Sequence, residues 1–236
     1  MIKRDNKTNE VLMIKQLTSK VNLNAAYLQV YRNKGAGGVD GKSVQTLKST
    51  LQANGKRYIE QIECGVYQPS PILGVEIPKS NGKTRLLGIP TATDRVFQQA
   101  LHQVLQPIFE VEFQQHSYGF RPKRNAGQAI AQSLKYINSD YRHIVDIDLK
   151  SFFDEVEHYV LLELIYRKVK CKQTLKLLRS FLRAPILING KLQKRTKGVP
   201  QGSPLSPLLS NILLNELDKL LESRNLRYVR YADDFS

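Results

Sequence analysis

Leu226-Arg227-Tyr228-Val229-Arg230-Tyr231-Ala232-Asp233-Asp234-Phe235 is the stretch on which the fold turns. Its first six residues read as a short strand, and the acidic pair sits where the chain should reverse. Two adjacent aspartates admit two readings. Asp is a favoured turn residue because its side chain bonds nearby backbone amides, and paired carboxylates are also ligands for a hard cation. A second acidic stretch lies far upstream, Ile144-Val145-Asp146-Ile147-Asp148-Leu149-Lys150-Ser151-Phe152-Phe153-Asp154. Alternation predicts a strand over 144–149 with Val145, Ile147 and Leu149 on one face and Asp146 and Asp148 on the other. Two carboxylates on one face of an apolar strand repel each other and lose hydration, so they call for a cation. The other reading is a strand with a polar solvent face, although Asp is among the poorest strand residues.

The chain between these stretches is equipped for a polyanion. Thirty-six Lys and Arg against twenty-one Asp and Glu give a formal charge of +15 in 236 residues, which steers phosphate-bearing partners and releases their counterions. The cations are spread along the chain, so a basic tail does not account for them, and a basic surface that serves solubility is the plain alternative. An apolar content of 41% is that of a folded globular protein. Cys64 and Cys171 stand far apart without metal-ligand spacing, which argues against a zinc site or a disulfide framework and for a reducing compartment. The start of the chain leads into no apolar signal core and no apolar run approaches a membrane span, so the expectation is a soluble, intracellular protein with no membrane partner.

Helical periodicity covers the opening third, with a cap expected at Asn22 or Asn24 and a helix over 44–62 ending near Gly65. Between them lies Asn33-Lys34-Gly35-Ala36-Gly37-Gly38-Val39-Asp40-Gly41, a glycine-dense loop without P-loop spacing. From Tyr67 the pattern becomes strands. A hairpin is expected with Asn81-Gly82 at its tip and Lys79, Lys83 and Arg85 around it, a ring of cations suited to phosphate or to solubility. Helices are expected over 94–113, 125–138, 158–170 and 172–183, and a second hairpin at Asn189-Gly190. His102 and His116 lack partners at ligand spacing and read as satisfied histidines. Gly198-Val199-Pro200-Gln201-Gly202-Ser203-Pro204-Leu205-Ser206-Pro207 forms a loop of unusual shape. There Gly202 would let a ligand approach the backbone, and a helix follows from Ser206 or Pro207. Carboxylates from two neighbouring strands in so basic a chain describe two-metal phosphoryl transfer, the ions about 3.5–4 Å apart.

The order of Ile77-Pro78-Lys79 to Gly88-Ile89-Pro90, Ser117-Tyr118-Gly119-Phe120-Arg121-Pro122, Asp148 to Phe153-Asp154, Pro200-Gln201-Gly202-Ser203-Pro204-Leu205-Ser206-Pro207-Leu208-Leu209 with Asn211, and Tyr231-Ala232-Asp233-Asp234 resembles the group II intron-encoded reverse transcriptases (maturases). The glycine loop resembles that family's amino-terminal extension, so the likeness covers nearly the whole chain. It implies an α+β fold, the fingers and palm of a right-hand polymerase, with an antiparallel palm sheet flanked by helices and the thumb absent. Residues 1–90 would be fingers including the extension, and 91–236 palm with a return to the fingers at about 158–198. The implied activity is RNA-directed DNA polymerase, copying intron RNA into cDNA for retrohoming, with splicing assistance as a maturase in the full-length protein. An RNA-binding splicing cofactor with little polymerase activity and a reverse transcriptase of another bacterial lineage are the alternatives.

Residue by residue, the resemblance implies that Asp148, Asp233 and Asp234 are catalytic and hold two Mg²⁺ ions, Mn²⁺ being a substitute, with the backbone carbonyl of Leu149 a further candidate ligand. Asp146 is only a same-face neighbour. Lys79 and Arg85 would meet the dNTP triphosphate, Phe153 would exclude a ribose 2′-hydroxyl, and Gln201 and Gly202 would lie beside the nucleotide. Lys34, Gly35, Gly37, Lys83 and Arg121 would contact nucleic acid. Implied partners are intron RNA template and primer, dNTP, a DNA target for the full-length protein, and a second copy as a homodimer. The implied location is the cytoplasm, as a nucleoid-associated ribonucleoprotein. The family continues past Tyr-Ala-Asp-Asp, so the resemblance implies a chain truncated at the catalytic turn, weak in polymerisation and prone to self-association.

Overall fold

The structure is a computed structural model that describes residues 11–78, 82, 84–139, 141 and 143–236. In chain order its elements are helix α1 (11–18), α2 (Lys20–Arg32), a 3₁₀ turn (Val44–Thr46), α3 (Leu47–Glu63), β1 (Ile72–Pro78), β2 (Thr84–Ile89), α4 (Ala92–Glu110), α5 (Ala126–Asn138), β3 (Ile147–Asp148), α6 (Phe152–Glu155), α7 (His158–Val169), α8 (Lys172–Arg183), β4 (Ile186–Ile188), β5 (Lys191–Gln193), α9 (Ser206–Ser223), β6 (Arg230–Tyr231) and β7 (Asp234–Phe235). The chain divides into two compact units. One holds the residues up to Leu105 together with Phe153–Ser206, the other Gln106–Phe152 together with Pro207–Ser236. Among the described residues no helix is long and apolar enough to cross a membrane.

In the first unit the cap of α2 is Ser19, whose hydroxyl accepts from the Asn22 amide, and not Asn22 or Asn24. Asn22 is committed elsewhere: its side-chain amide donates to Leu17 O and to Ala100 O, tying the bend between α1 and α2 onto α4. Ala26, Val30, Leu47, Val96 and Ala100 close a core around that bend. Helix α3 ends in a Schellman motif, with Gly65 at φ +68°, Gly65 N–H on Ile62 O and Val66 N–H on Gln61 O. The sheet runs β2-β1-β4-β5, with β1 antiparallel to β2 and parallel to β4. Positive φ at both Asn189 and Gly190 gives the β4–β5 hairpin the type I′ turn its sequence specifies. Asp94, near the head of α4, is buried and accepts from the Tyr67 hydroxyl (2.8 Å), the Thr91 hydroxyl (2.6 Å) and the Ser70 amide (3.1 Å). Burial pushes its carboxyl above the usual range, and these three donors offset part of that cost.

The second unit is built on an antiparallel sheet of order β3-β7-β6. Helix α5 starts with a reciprocal capping box between Asn125 and Gln128. Leu214, Tyr228 and Phe235, with Leu149, Leu217 and Leu221 packed against them, join α9 to the sheet. Strand β3 is shorter than its alternation suggests. Only Ile147 and Asp148 find partners, and Val145, expected on a buried face, is 71% exposed.

Candidate active site

The acidic residues meet at one end of the three-stranded sheet. Strands β6 and β7 are joined by the two-residue turn Ala232-Asp233, with Tyr231 opposite Asp234 and Arg230 opposite Phe235. Ala232, the first turn residue, takes φ +60°, a conformation that L-residues adopt at a cost. On the other side of β7, Asp148 stands directly opposite Asp234. Residues so paired carry their side chains on the same face, Cβ atoms about 4.5–5.5 Å apart. Asp233 adjoins them in the turn. Burial first, then repulsion from Asp233 and Asp148, hold the Asp234 carboxyl above the usual range.

Hard oxygen donors that repel one another across a strand pair fit a divalent cation, which relieves the repulsion and suits carboxylate ligands. Among the described residues no three His, Cys, Asp or Glu side chains are drawn together as a finished cage. The carboxylates are repelling neighbours, not a closed ligand set. Asp146 accepts from the Ser236 hydroxyl at 2.9 Å. The Leu149 carbonyl accepts from the Phe152 amide at 3.2 Å and so already has a partner in the chain.

The turn is held by residues that carry no charge to a substrate. Arg230, immediately before Tyr231, is fully buried, and its guanidinium grips Asp218 of α9 through Nε (2.8 Å) and Nη2 (2.5 Å). Nη1 donates to Asn211 Oδ1 (2.8 Å) and to the Ala232 carbonyl (2.9 Å). The Asn211 amide donates in turn to Gly119 O (2.9 Å). Gly119 lies so close beneath the turn that a Cβ there would run into the backbone nitrogen of Ala232, and would stand 2.9 Å from its Cα. The Ser117-Tyr118-Gly119 stretch pairs with the outer edge of β6, Tyr118 N–H on Arg230 O and Arg230 N–H on His116 O, both 2.9 Å.

Arg121 belongs to this scaffold and not to a nucleic-acid contact. It is buried, pairs with Glu110 at 2.8 Å, and donates to the carbonyls of Gln114 (2.6 Å) and Ser117 (2.9 Å). A guanidinium so engaged in the interior has no donors to offer a phosphate.

In the first unit, the exposed Arg85 donates through Nε to the Gln201 side chain, and the Gly88 amide donates to the Gln201 carbonyl at 2.8 Å. Gly202 has φ +124°, and a Cβ there would meet Gly88 O at 2.6 Å. The close approach expected of a ligand is therefore made by the backbone of β2. Phe153 is buried, 8% exposed, and its carbonyl accepts from the Val199 amide at 2.7 Å. His158 and Arg195 each donate to Gly198 O at 2.8 Å, fixing the entry of the Gly-Pro loop. The glycine loop is pinned to α4: Arg95 donates to Ala36 O at 2.7 Å, its guanidinium fills the space a Cβ on Gly35 would need, and Gly38 packs on Thr91. A Cβ on Gly37 would come to 3.0 Å of Lys42 O, and Lys34 is exposed. Lys79 and Lys83, expected at the hairpin tip, lie outside the described residues.

Sequence reasoning missed Arg230, Asp218, His158 and Arg195. A signal existed for one of them. Asn211, Asn215 and Asp218 recur at helical spacing along α9 beside the apolar residues Leu214 and Leu221, and all three polar residues are buried. A polar line on a buried helix face needs partners.

A profile of the family described as reverse transcriptase (RNA-dependent DNA polymerase) matches residues 77–236. The chain is 39% identical over 194 residues to Protein YkfC of Escherichia coli (strain K12), covering 80% of this chain and 51% of that protein. It is 37% identical over 210 residues to the group II intron-encoded protein LtrA of Lactococcus lactis subsp. cremoris, covering 89% of this chain and 35% of that one. Among solved structures, a chain of the partial Cas6-RT-Cas1--Cas2 complex superposes with a TM-score of 0.63 at 25% identity, over 94% of this chain and 37% of that chain. The chain thus spans about half the length of the first relative and about a third of the other two.

Proposed function

The chain belongs to the reverse transcriptase (RNA-dependent DNA polymerase) family, and from that premise we propose that it is the fingers and palm portion of a group II intron-encoded enzyme. In this reading the whole protein copies intron RNA into cDNA by adding dNTPs to a primer 3′-hydroxyl. It serves retrohoming to a DNA target and assists splicing as a maturase, as a cytoplasmic, nucleoid-associated ribonucleoprotein. The observation that carries the reading is the register that sets Asp148 opposite Asp234, with Asp233 in the adjoining turn. The higher identity to the intron-encoded protein, 37% against 25% for the Cas-associated chain, favours the intron lineage over other reverse transcriptases.

Members of the family use divalent metal ions. Mg²⁺, with Mn²⁺ able to substitute, would supply neutralisation of charge at the transferring phosphoryl group when bound. Asp148, Asp233 and Asp234 would hold it. Their part is to present ionised oxygens on a backbone that does not reorganise during the reaction, which the sheet and the buried network beneath the turn support. As the resemblance implies, Arg85, bonded to Gln201, would meet the triphosphate. Phe153 would exclude the ribose 2′-hydroxyl. Primer extension on an RNA template tests the reading. The full-length wild-type protein is expected to extend with dNTPs, to stop when the metal is chelated, and to lose extension in Asp233→Ala. Equal extension by wild type and variant would remove the metal assignment.

A further inference from the structure

We propose that the buried Arg230–Asp218 pair is the positioning device of the acidic turn, setting where Asp233 and Asp234 point and therefore how tightly the site binds a divalent cation. The inference rests on the reading of those aspartates as metal ligands, and its test separates the two.

A buried ion pair is an uneconomical way to hold a sheet to a helix. Removing two charges from water costs about as much as their attraction returns, and well-packed apolar residues of the same volume often serve as well or better. Both side chains here are wholly buried. What an apolar pair could not do is seen at Nη1. Asp218 takes Nε and Nη2 in a fork that fixes the guanidinium plane. That leaves Nη1 to donate to two acceptors, Asn211 Oδ1 and the Ala232 carbonyl. The second is the carbonyl of the residue at φ +60°, one peptide before Asp233. A non-glycine residue persists in that region only where its surroundings over-determine it. Here the carbonyl of Ala232 is held by Arg230 and its nitrogen is backed by Gly119, which Asn211 holds in place. Arg230, Asn211 and Gly119 thus constrain Ala232 through the two peptides that flank it, Arg230 acting on the Ala232–Asp233 peptide. Arg230 touches no substrate and acts through that peptide, so it is a positioning residue.

The experiment compares the full 236-residue chain with Arg230→Met/Asp218→Leu, Arg230→Lys and Asp233→Asn. It measures melting temperature, Mn²⁺ saturation by water-proton relaxation with the metal alone, and the Mg²⁺ dependence of primer extension. The double variant refills the interior with apolar volume and leaves the Ala232 carbonyl without its donor. It is expected to melt near the wild-type temperature while its Mn²⁺ half-saturation rises by about 10-fold or more, the usual effect of losing a group that orients metal ligands. Arg230→Lys retains a charge for Asp218 but lacks the fork, and should show the same weakening at a near-native melting temperature; it decides the matter if the double variant does not fold. Wild-type Mn²⁺ saturation in a folded Arg230 variant, beside weakened binding in Asp233→Asn, overturns the positioning role alone. Unchanged saturation in Asp233→Asn overturns the metal reading and the positioning role with it.

Discussion

Gly119→Ala is the substitution that most directly probes how the acidic turn is seated. The added methyl group would stand 2.9 Å from Ala232 Cα and 3.1 Å from the carbonyl carbon of Tyr231, and closer still to the Ala232 nitrogen. Unstrained carbon contacts begin near 3.5 Å. Every atom it meets is backbone, so no side chain can rotate away. Either the Ser117–Gly119 stretch or the turn must move, by a distance on the order of 1 Å. Overpacking of this kind costs about 1–3 kcal/mol. In a chain of 236 residues each kcal/mol lowers Tm by roughly 2–4 °C. The larger effect should be on chemistry, since a displacement of about 1 Å in a reacting group costs on the order of 100-fold in rate. The assay is single-turnover primer extension at saturating dNTP, run beside a thermal melt. Gly119 does not have positive φ, so the effect is steric and Gly119→Ser should be at least as severe. Wild-type melting together with wild-type extension would refute the seat. A lowered Tm with unchanged extension would show that the seat yields and the turn does not.

Two further outcomes follow from the same geometry. Repulsion from Asp148 contributes to the raised Asp234 carboxyl, so ionising Asp234 in the fold opposes stability. That penalty is absent below the ordinary carboxylate pKa and fully present above the raised one. Asp148→Asn should therefore be no less stable than wild type, and more stable near neutral pH, when urea unfolding is followed in the presence of a chelator, although it loses extension; a variant less stable than wild type under those conditions would contradict the repulsion. Arg85→Ala, which removes a cation from an exposed strand position, should raise the KM for dNTP with little change in Tm, and unchanged nucleotide kinetics would reassign Arg85 away from the triphosphate.

Elements specified by local chemistry were legible in the sequence. Asn189-Gly190 encodes its own turn, and α8 has the expected bounds because its apolar period and its flanking residues agree. The juxtaposition of Asp148 with the Tyr-Ala-Asp-Asp turn was readable because carboxylates on strands are costly unless they share a task. What was not legible depends on distant partners. The length of β3 is set by β7, which offers two residues, so alternation over 144–149 overstates it. Arg121 stands in a basic run and reads as outward, yet its acceptors are Glu110 and the carbonyls after the end of α4. Ser19 outcompetes two asparagines as a cap because one of them is spent on α4. Arg230 looks like an exposed strand cation until Asp218, twelve residues earlier, is found on the buried face of α9.

The sheet that carries the carboxylates is braced unevenly. Strand β6 is flanked on both sides, by β7 and by the stretch around Ser117, whereas β3 meets β7 through two residue pairs and little else in the ladder. Opening free energies vary across a fold with such bracing. The amide hydrogen at Ile147 should thus exchange with solvent by local opening long before those at Val229 and Arg230, which are bonded to Ser236 O and His116 O. A cation joining Asp148 to the turn would act as a third rung on the weaker ladder. Added Mn²⁺ should slow exchange at Ile147 far more than at Val229 and Arg230, so that metal binding and the ordering of this strand become one event.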